Sequence, residues 1–188
     1  KGRYSNLINR FSEHMNSYVQ SANNAICSFV QENNGERSGS TMALLCISPE
    51  KNEAVAANVG DTKVFLLRDK ELKRISEDHN QAQSLANLGL LSEEEARTHK
   101  DKSKLTQHLG IFQEEMMLEP YITDNIILKK NDLFLVCSDG LTDMLDYSEI
   151  ADILNKDTTL KKKCRKLIEV ANTKGGDDNI TAILAELI

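Results

Sequence analysis

No stretch of this 188-residue chain approaches the roughly 20 consecutive apolar residues that a membrane-spanning helix requires. No secretory leader is visible at its start. Its four cysteines (Cys27, Cys46, Cys137 and Cys164) make no Cys-x-x-Cys pair, and each sits in an apolar context. That excludes an obvious zinc site or disulfide frame and leads us to expect packed thiols in a reducing compartment, the cytoplasm. Cationic residues are not in excess: 23 Lys and Arg face 29 Asp and Glu, a net charge of -6. Nucleic-acid and anionic-membrane surfaces carry the opposite balance, so neither is an expected partner. Also missing is a Walker-type phosphate loop, because "GDTK" has no glycine at the required distance before it. The histidines (His14, His79, His99, His108) show no metal-ligand spacing. No internal repeat, low-complexity tract or linker divides the chain. A 40% hydrophobic and 28% charged composition over this length fits one globular domain with a real core.

Periodicity organises what is present. Leu7, Ile8, Phe11, Met15 and Val19 recur at helical spacing, as do Ala22, Ala25, Ile26, Phe29 and Val30. Residues 4–31 are therefore expected to form two helices or one bent one. After the polar "ENNGERSGS", the runs "TMALLCIS", "EAVAANV", "KVFLLR" and "ELKRIS" read as a four-stranded antiparallel meander. Residues 80–110 break the pattern. "QAQSLANLGLL" looks helical, and Ser92 followed by Glu95 is a capping box for a second short helix. An insertion of this kind between strands suits a surface lid or a plain connector. Strands are expected again near "MMLEPYIT" and "NIILKKNDLFLVCSD". Two helices follow, the first capped by Ser148 and the second carrying Leu160, Cys164, Leu167, Ile168 and Ala171, and "NITAILAEL" closes the chain as a strand. This order implies an α+β fold, a mainly antiparallel sheet system covered by helices.

Three aspartates share one local context. Asp61 follows Gly60 after "AVAANV", Asp139 precedes Gly140 after "DLFLVCS", and Asp178 follows Gly175 and Gly176 before "NITAIL". Glycine beside a rigid strand end permits a sharp turn and a close approach. Carboxylates that converge repel one another unless a cation neutralises them, and magnesium or manganese favours such oxygen ligands. Each aspartate alone reads as a turn residue; the three together point to a shared metal site. Ser138 does not fit a nucleophile elbow, which needs a glycine where Val136 stands.

Four motifs, "GSTMALL", "NVGDTKVFLLRDKELKRISEDH", "LVCSDGLTDML" and "GGDDNITAILAEL", occur in the order seen in metal-dependent protein phosphatases of the type 2C (PPM) class. From about residue 17 to residue 188 the chain resembles the bacterial serine/threonine members. The resemblance implies two antiparallel sheets packed face to face between helices, an α-β-β-α sandwich. It implies a centre of two or three Mn2+ or Mg2+ ions, with Asp139 and Asp178 as ligands and Asp61 holding a third ion with Asp139. Gly60, Gly140, Gly175, Gly176 and Asn179 would support these loops, and residues 80–110 would form the flap beside the site. The implied reaction is attack on a phosphoserine or phosphothreonine monoester by a water that the ions activate. Phosphorylated proteins, including a partner serine/threonine kinase, are the implied partners.

The sequence departs from that pattern in two places. Members of the class begin with strands carrying an arginine, a Glu-Asp pair and an Asp-Gly, and residues 1–188 contain no such segment. The domain is therefore expected to be N-terminally incomplete, without the bridging aspartate, and not fully active. In the flap, "TQHLG" places Gln107 and His108 where many relatives carry an arginine. Two further readings stand beside the enzyme: a non-catalytic phosphatase-like binding or regulatory module, and a hydrolase using Asp139 itself as nucleophile.

Overall fold

The computed structural model describes residues 2–33 and 36–188, with the side chains of residues 2–13 outside the description. Leu7, Ile8 and Phe11 therefore lie outside the described side chains. Where two helices or one bent one were expected, a single helix forms, α1 (Gly2–Glu32). Met15, Val19 and Val30 are buried on it, whereas Ala25 and Phe29 face solvent. Its most informative inward residue is polar. Asn23, 2% exposed, donates through Nδ2 to the Ile111 carbonyl at 2.9 Å and accepts from the Gly110 N–H at 2.7 Å. A buried amide is retained because both of its ends are satisfied. No described helix is long and apolar enough to cross a membrane.

The strands are β1 (Met42–Ser48), β2 (Glu53–Val59), β3 (Lys63–Arg68), β4 (Glu71–Arg74), β5 (Tyr121–Ile122), β6 (Ile126–Ile127), β7 (Leu133–Cys137) and β8 (Ala182–Glu186). They form two antiparallel sheets. In the first, β2 pairs with β1 on one side and with β5 and β6 on the other; the second runs β4-β3-β7-β8. The expected four-stranded meander is thus two hairpins in different sheets. The chain changes sheet between β2 and β3, in the Gly60–Asp61 turn, a division that alternating apolar strands cannot reveal. "MMLEPYIT" gives only a two-residue strand at its end.

Alternation along each strand builds the layers. Leu66 and Phe134 face the first sheet and pack with Ala54, Leu45 and Ile47 between the sheets. Phe65, Leu67, Leu133, Leu135 and Cys137 face outward against α4 (Asp139–Thr142), α5 (Tyr147–Leu154) and α6 (Leu160–Thr173), through Leu141, Ile150, Leu154 and Leu167. On the opposite side α1 covers the first sheet, Val19 meeting Val59 and Met15 meeting Val55 and Ala57. The result is an α+β sandwich, with helix, sheet, sheet and helix layers in that order. Between β4 and β5 lie α2 (Gln81–Asn87), capped by Asn80, and α3 (Glu93–Thr98), with its Ser92–Glu95 capping box in place. Helix α5 is capped two residues earlier than expected. Asp146 is its N-cap, its N–H bonded to Glu149, and Ser148 sits inside the first turn. Only Cys137 is fully buried; the other three cysteines are half-buried, and all four are free.

Candidate metal centre

Antiparallel register gathers the three aspartates at one edge of the second sheet. Lys63 at the start of β3 pairs with Cys137 at the end of β7, and Cys137 pairs with Ala182 at the start of β8. The segments before β3, after β7 and before β8 must therefore meet there. These segments carry Asp61, Asp139 and Asp178.

Asp61 is held by a clasped turn. Gly60 has φ +90, and a Cβ there would lie 2.4 Å from Thr41 Cγ2. The Gly60 N–H donates to His79 Nδ1 at 3.3 Å, and the His79 N–H donates to the Gly60 carbonyl at 2.9 Å. Asn58 adds bonds from Nδ2 to the carbonyls of Gly60 and Glu77. His79 is thereby fixed as an acceptor, and burial pushes its imidazole toward the neutral form. Next to this turn Lys63 is nearly enclosed: its Nζ lies 3.0 Å from Asp78 Oδ2 and donates to the Asp61 carbonyl at 2.9 Å. Burial works against its charge, but Asp78, together with Tyr147 and Asp61, outweighs that and raises its pKa. Arg74 completes the group, 3.5 Å from Asp78 Oδ1 and bonded to Gln83 and Glu93.

The Asp61 carboxyl makes no ion pair with Lys63, which donates to its backbone carbonyl and offsets its raised pKa only in part. Burial, and next the charge of Asp139, raise the Asp61 pKa to about 6. Two carboxylates this close, with the nearest lysine engaged elsewhere, form a site that a cation would relieve. Asp139 opens α4 and its Oδ1 accepts from the Gly140 N–H at 2.9 Å.

Gly140 explains how Asp178 arrives. A Cβ on Gly140 would lie 2.5 Å from the Asn179 carbonyl oxygen and 3.4 Å from Asp178 Cβ. Only glycine lets the 178–179 loop rest on α4 at this distance. Ser138 fastens the same loop: its Oγ donates to the Asn179 carbonyl and accepts from the Thr181 N–H, both at 3.0 Å. Asp178 is exposed and accepts from the Asn179 N–H at 2.6 Å. Gly175 and Gly176 have φ +142 and +61 and turn back upon Met144, Asp177 and Asn172, so they end α6 rather than close upon Asp139. Asp177 folds toward Gly175, with its Oδ1 3.1 Å from a Cβ placed there.

Residues 80–110 roof a polar cavity that Asp61 and Asp139 share. Asn80, Gln83, Arg97 and Lys102 line it from the insertion, and Lys102 is tied to Asp143 at 2.8 Å. Arg97 lies 4.0 Å over the Tyr147 ring, which meets Phe65 edge-on. Asp178 does not line this cavity, nor do Gln107 and His108. The Gln107 side chain bonds the backbone of Met117 and Glu119, and His108 lies against Leu109 and Gly39, away from the aspartates. Among the described residues, no three His, Cys, Asp or Glu side chains converge closely enough to hold an ion alone. The carboxylates thus suit ions that keep much of their water, as magnesium does. Lys63, Arg74, Asp78 and His79 were not predicted as site residues, although "ISEDH" places a buried acid and imidazole directly after β4. Cys137 is no nucleophile: burial pushes its thiol up to about 12.

The Stage II sporulation protein E (SpoIIE) family matches residues 3–188. Protein phosphatase PhpP of Streptococcus pneumoniae is 34% identical over 180 residues, spanning 96% of this chain and 71% of PhpP. The chain belongs to the metal-dependent, type 2C protein phosphatase family. Among solved phosphatases of this kind, the S. agalactiae serine/threonine phosphatase superposes with a TM-score of 0.82 at 31% identity, covering 94% of this chain and 71% of its own. The catalytic domain of the serine/threonine phosphatase PstP, solved in complex with two manganese ions, gives 0.74 at 27% identity, with 88% and 67% covered.

Proposed function

We propose that this type 2C domain is a metal-dependent serine/threonine phosphoprotein phosphatase. The observation that carries the reading is the pairing of Asp61 and Asp139 in one polar cavity, with Asp178 brought alongside Asp139 across Gly140. Asp139 and Asp178 would hold the catalytic ions, and Asp61 with Asp139 a further one; the two manganese ions of PstP favour Mn2+ or Mg2+. When bound, the ions supply charge neutralisation and Lewis-acid activation of water.

The protein's own groups hold this arrangement rigid. The Gly60–His79 clasp and the Lys63–Asp78 pair fix Asp61. Ser138 and Gly140 fix the height of the 178–179 loop above Asp139. The insertion, acting as a flap, screens the cavity from bulk water and presents Arg97 and Lys102 near it. Electrostatic stabilisation of a phosphoryl group is strongest where water is excluded. Phosphorylated proteins, among them a partner kinase, are the proposed substrates, and the cytoplasm the proposed location. Within the complete polypeptide, a phosphothreonine peptide should be hydrolysed when Mn2+ is added, and Asp139→Asn should abolish this.

The second reading, a non-catalytic phosphatase-like module, is favoured by the placement of Asp178 outside the cavity that Asp61 and Asp139 line. Manganese calorimetry separates the two: the enzyme binds the ion with heat that Asp139→Asn reduces, whereas a module of this kind gives none.

A further inference from the structure

At the end of the second sheet opposite the aspartates, a cavity of about 300 Å³ opens between the β3–β4 turn, the approach to β7 and the helices α5 and α6. Its size is at the lower end for small-ligand pockets. Five cationic side chains line it: Arg68, Lys70, Lys129, Lys130 and Lys163. Of the three acids that share it (Asp69, Asp132 and Glu186), Asp132 is already committed. It is 1% exposed and accepts from Arg68 Nε at 2.8 Å, from Arg68 Nη2 at 2.6 Å and from the Lys129 N–H at 2.8 Å. Among the described residues none of the four lysines makes an ion pair. The wall is therefore net cationic on a chain whose net charge is -6.

Lys163 is the telling residue. It lies in the first turns of α6, is only 9% exposed, and has no hydrogen-bond or ion-pair partner for its ammonium among the described residues. Its stem is packed, while its ammonium keeps access to solvent and is neutralised by no carboxylate among the described residues. Lys70 is equally out of place. It occupies the second position of a two-residue hairpin turn with φ +69, where glycine is preferred. What Lys163 and Lys70 share is a charge without an ion-pair partner in the lining of one cavity.

We propose that this cavity binds a small phosphorylated anion, with Lys163 at its floor and Lys70, Lys129 and Lys130 at its rim. A phosphate group carries more charge and more acceptor oxygens than a carboxylate, so it can engage several of these ammonium groups at once. The site lies at the other end of the sheet from the metal centre and does not depend on phosphatase activity.

Calorimetric titration of the chain with pyrophosphate, in a chelator and at low salt, tests this. Without ions the aspartate end is anionic and repels the probe. The expected result is saturable binding, weakened about tenfold or more by Lys163→Met and by Lys70→Gly, and unchanged by Asp139→Asn. Lys70→Gly removes the charge while suiting the turn, so it remains informative if Lys163→Met fails to fold. No saturable heat, full binding in Lys70→Gly, or loss of binding in Asp139→Asn would each overturn the proposal. Binding of adenosine triphosphate no tighter than pyrophosphate confines recognition to the phosphates, and tighter binding extends it to a nucleotide; both outcomes support the site.

Discussion

Asp61 shows how one side chain reports the state of a whole site. Its carboxyl titrates high because burial opposes its charge and Asp139 repels it. Following the Asp61 carboxyl by NMR in the ion-free chain should give a midpoint of about 6. Asp139→Asn should lower that midpoint only partly, since burial is the larger cause; an unchanged midpoint would mean that the two carboxylates do not interact. The sign for stability follows. A carboxyl with a raised folded pKa binds its proton more tightly when folded, so the ion-free domain loses stability as pH rises from about 4 toward 6. Asp132 has the opposite sign. Burial opposes its charge, but Arg68 and the Lys129 N–H overcome that and hold the carboxyl below its ordinary range. Its contribution is complete above about pH 4 and disappears as pH falls through the lowered folded value. Asp132→Asn should destabilise the domain by about 2–3 kcal/mol at neutral pH, with the deficit shrinking in acid denaturant titrations.

The elements were legible in the sequence where one periodicity dominated. The helical stripe of α6, the apolar runs of β1, β2, β3 and β7, and the Ser92–Glu95 cap all form from local signals. What the sequence hid was pairing. Nothing local says that β2 and β3 belong to different sheets, because both are apolar and joined by a glycine turn. The candidate site was half legible for the same reason. Aspartates beside glycines announced themselves, but the Lys63–Asp78–Arg74 group depends on β3 meeting the segment after β4. Gln107 and His108 show the converse, a position chosen by motif that the chain places elsewhere. Breaking the Lys63–Asp78 pair should therefore cost fold and site together. Lys63→Met leaves Asp78 buried beside Arg74 alone and should destabilise the domain by about 3 kcal/mol in urea unfolding. A loss below about 1 kcal/mol, within the range of exposed pairs, would show that the pair is not enclosed.

Across the whole molecule, two sheets share a core and divide their ends. One end of the second sheet collects carboxylates and the other collects lysines, so the same strands β3 and β7 connect an anionic site to a cationic one. The first end is where the metal centre is proposed, and the loops give it a finer division that can be checked. "KGGDDNITAIL" contains two adjacent acids with different neighbours: Asp178 faces Gly140, and Asp177 turns back over Gly175. Manganese-dependent hydrolysis of a phosphothreonine peptide, measured side by side for Asp178→Ala and Asp177→Ala in the complete polypeptide, tests the proposed centre most directly. Loss of a residue that merely orients a metal ligand costs 10- to 100-fold, so Asp178→Ala should lose more than about 100-fold. Asp177→Ala should stay within a few-fold of the parent. Equal losses in the two variants, or full activity in Asp178→Ala, would contradict the centre described here.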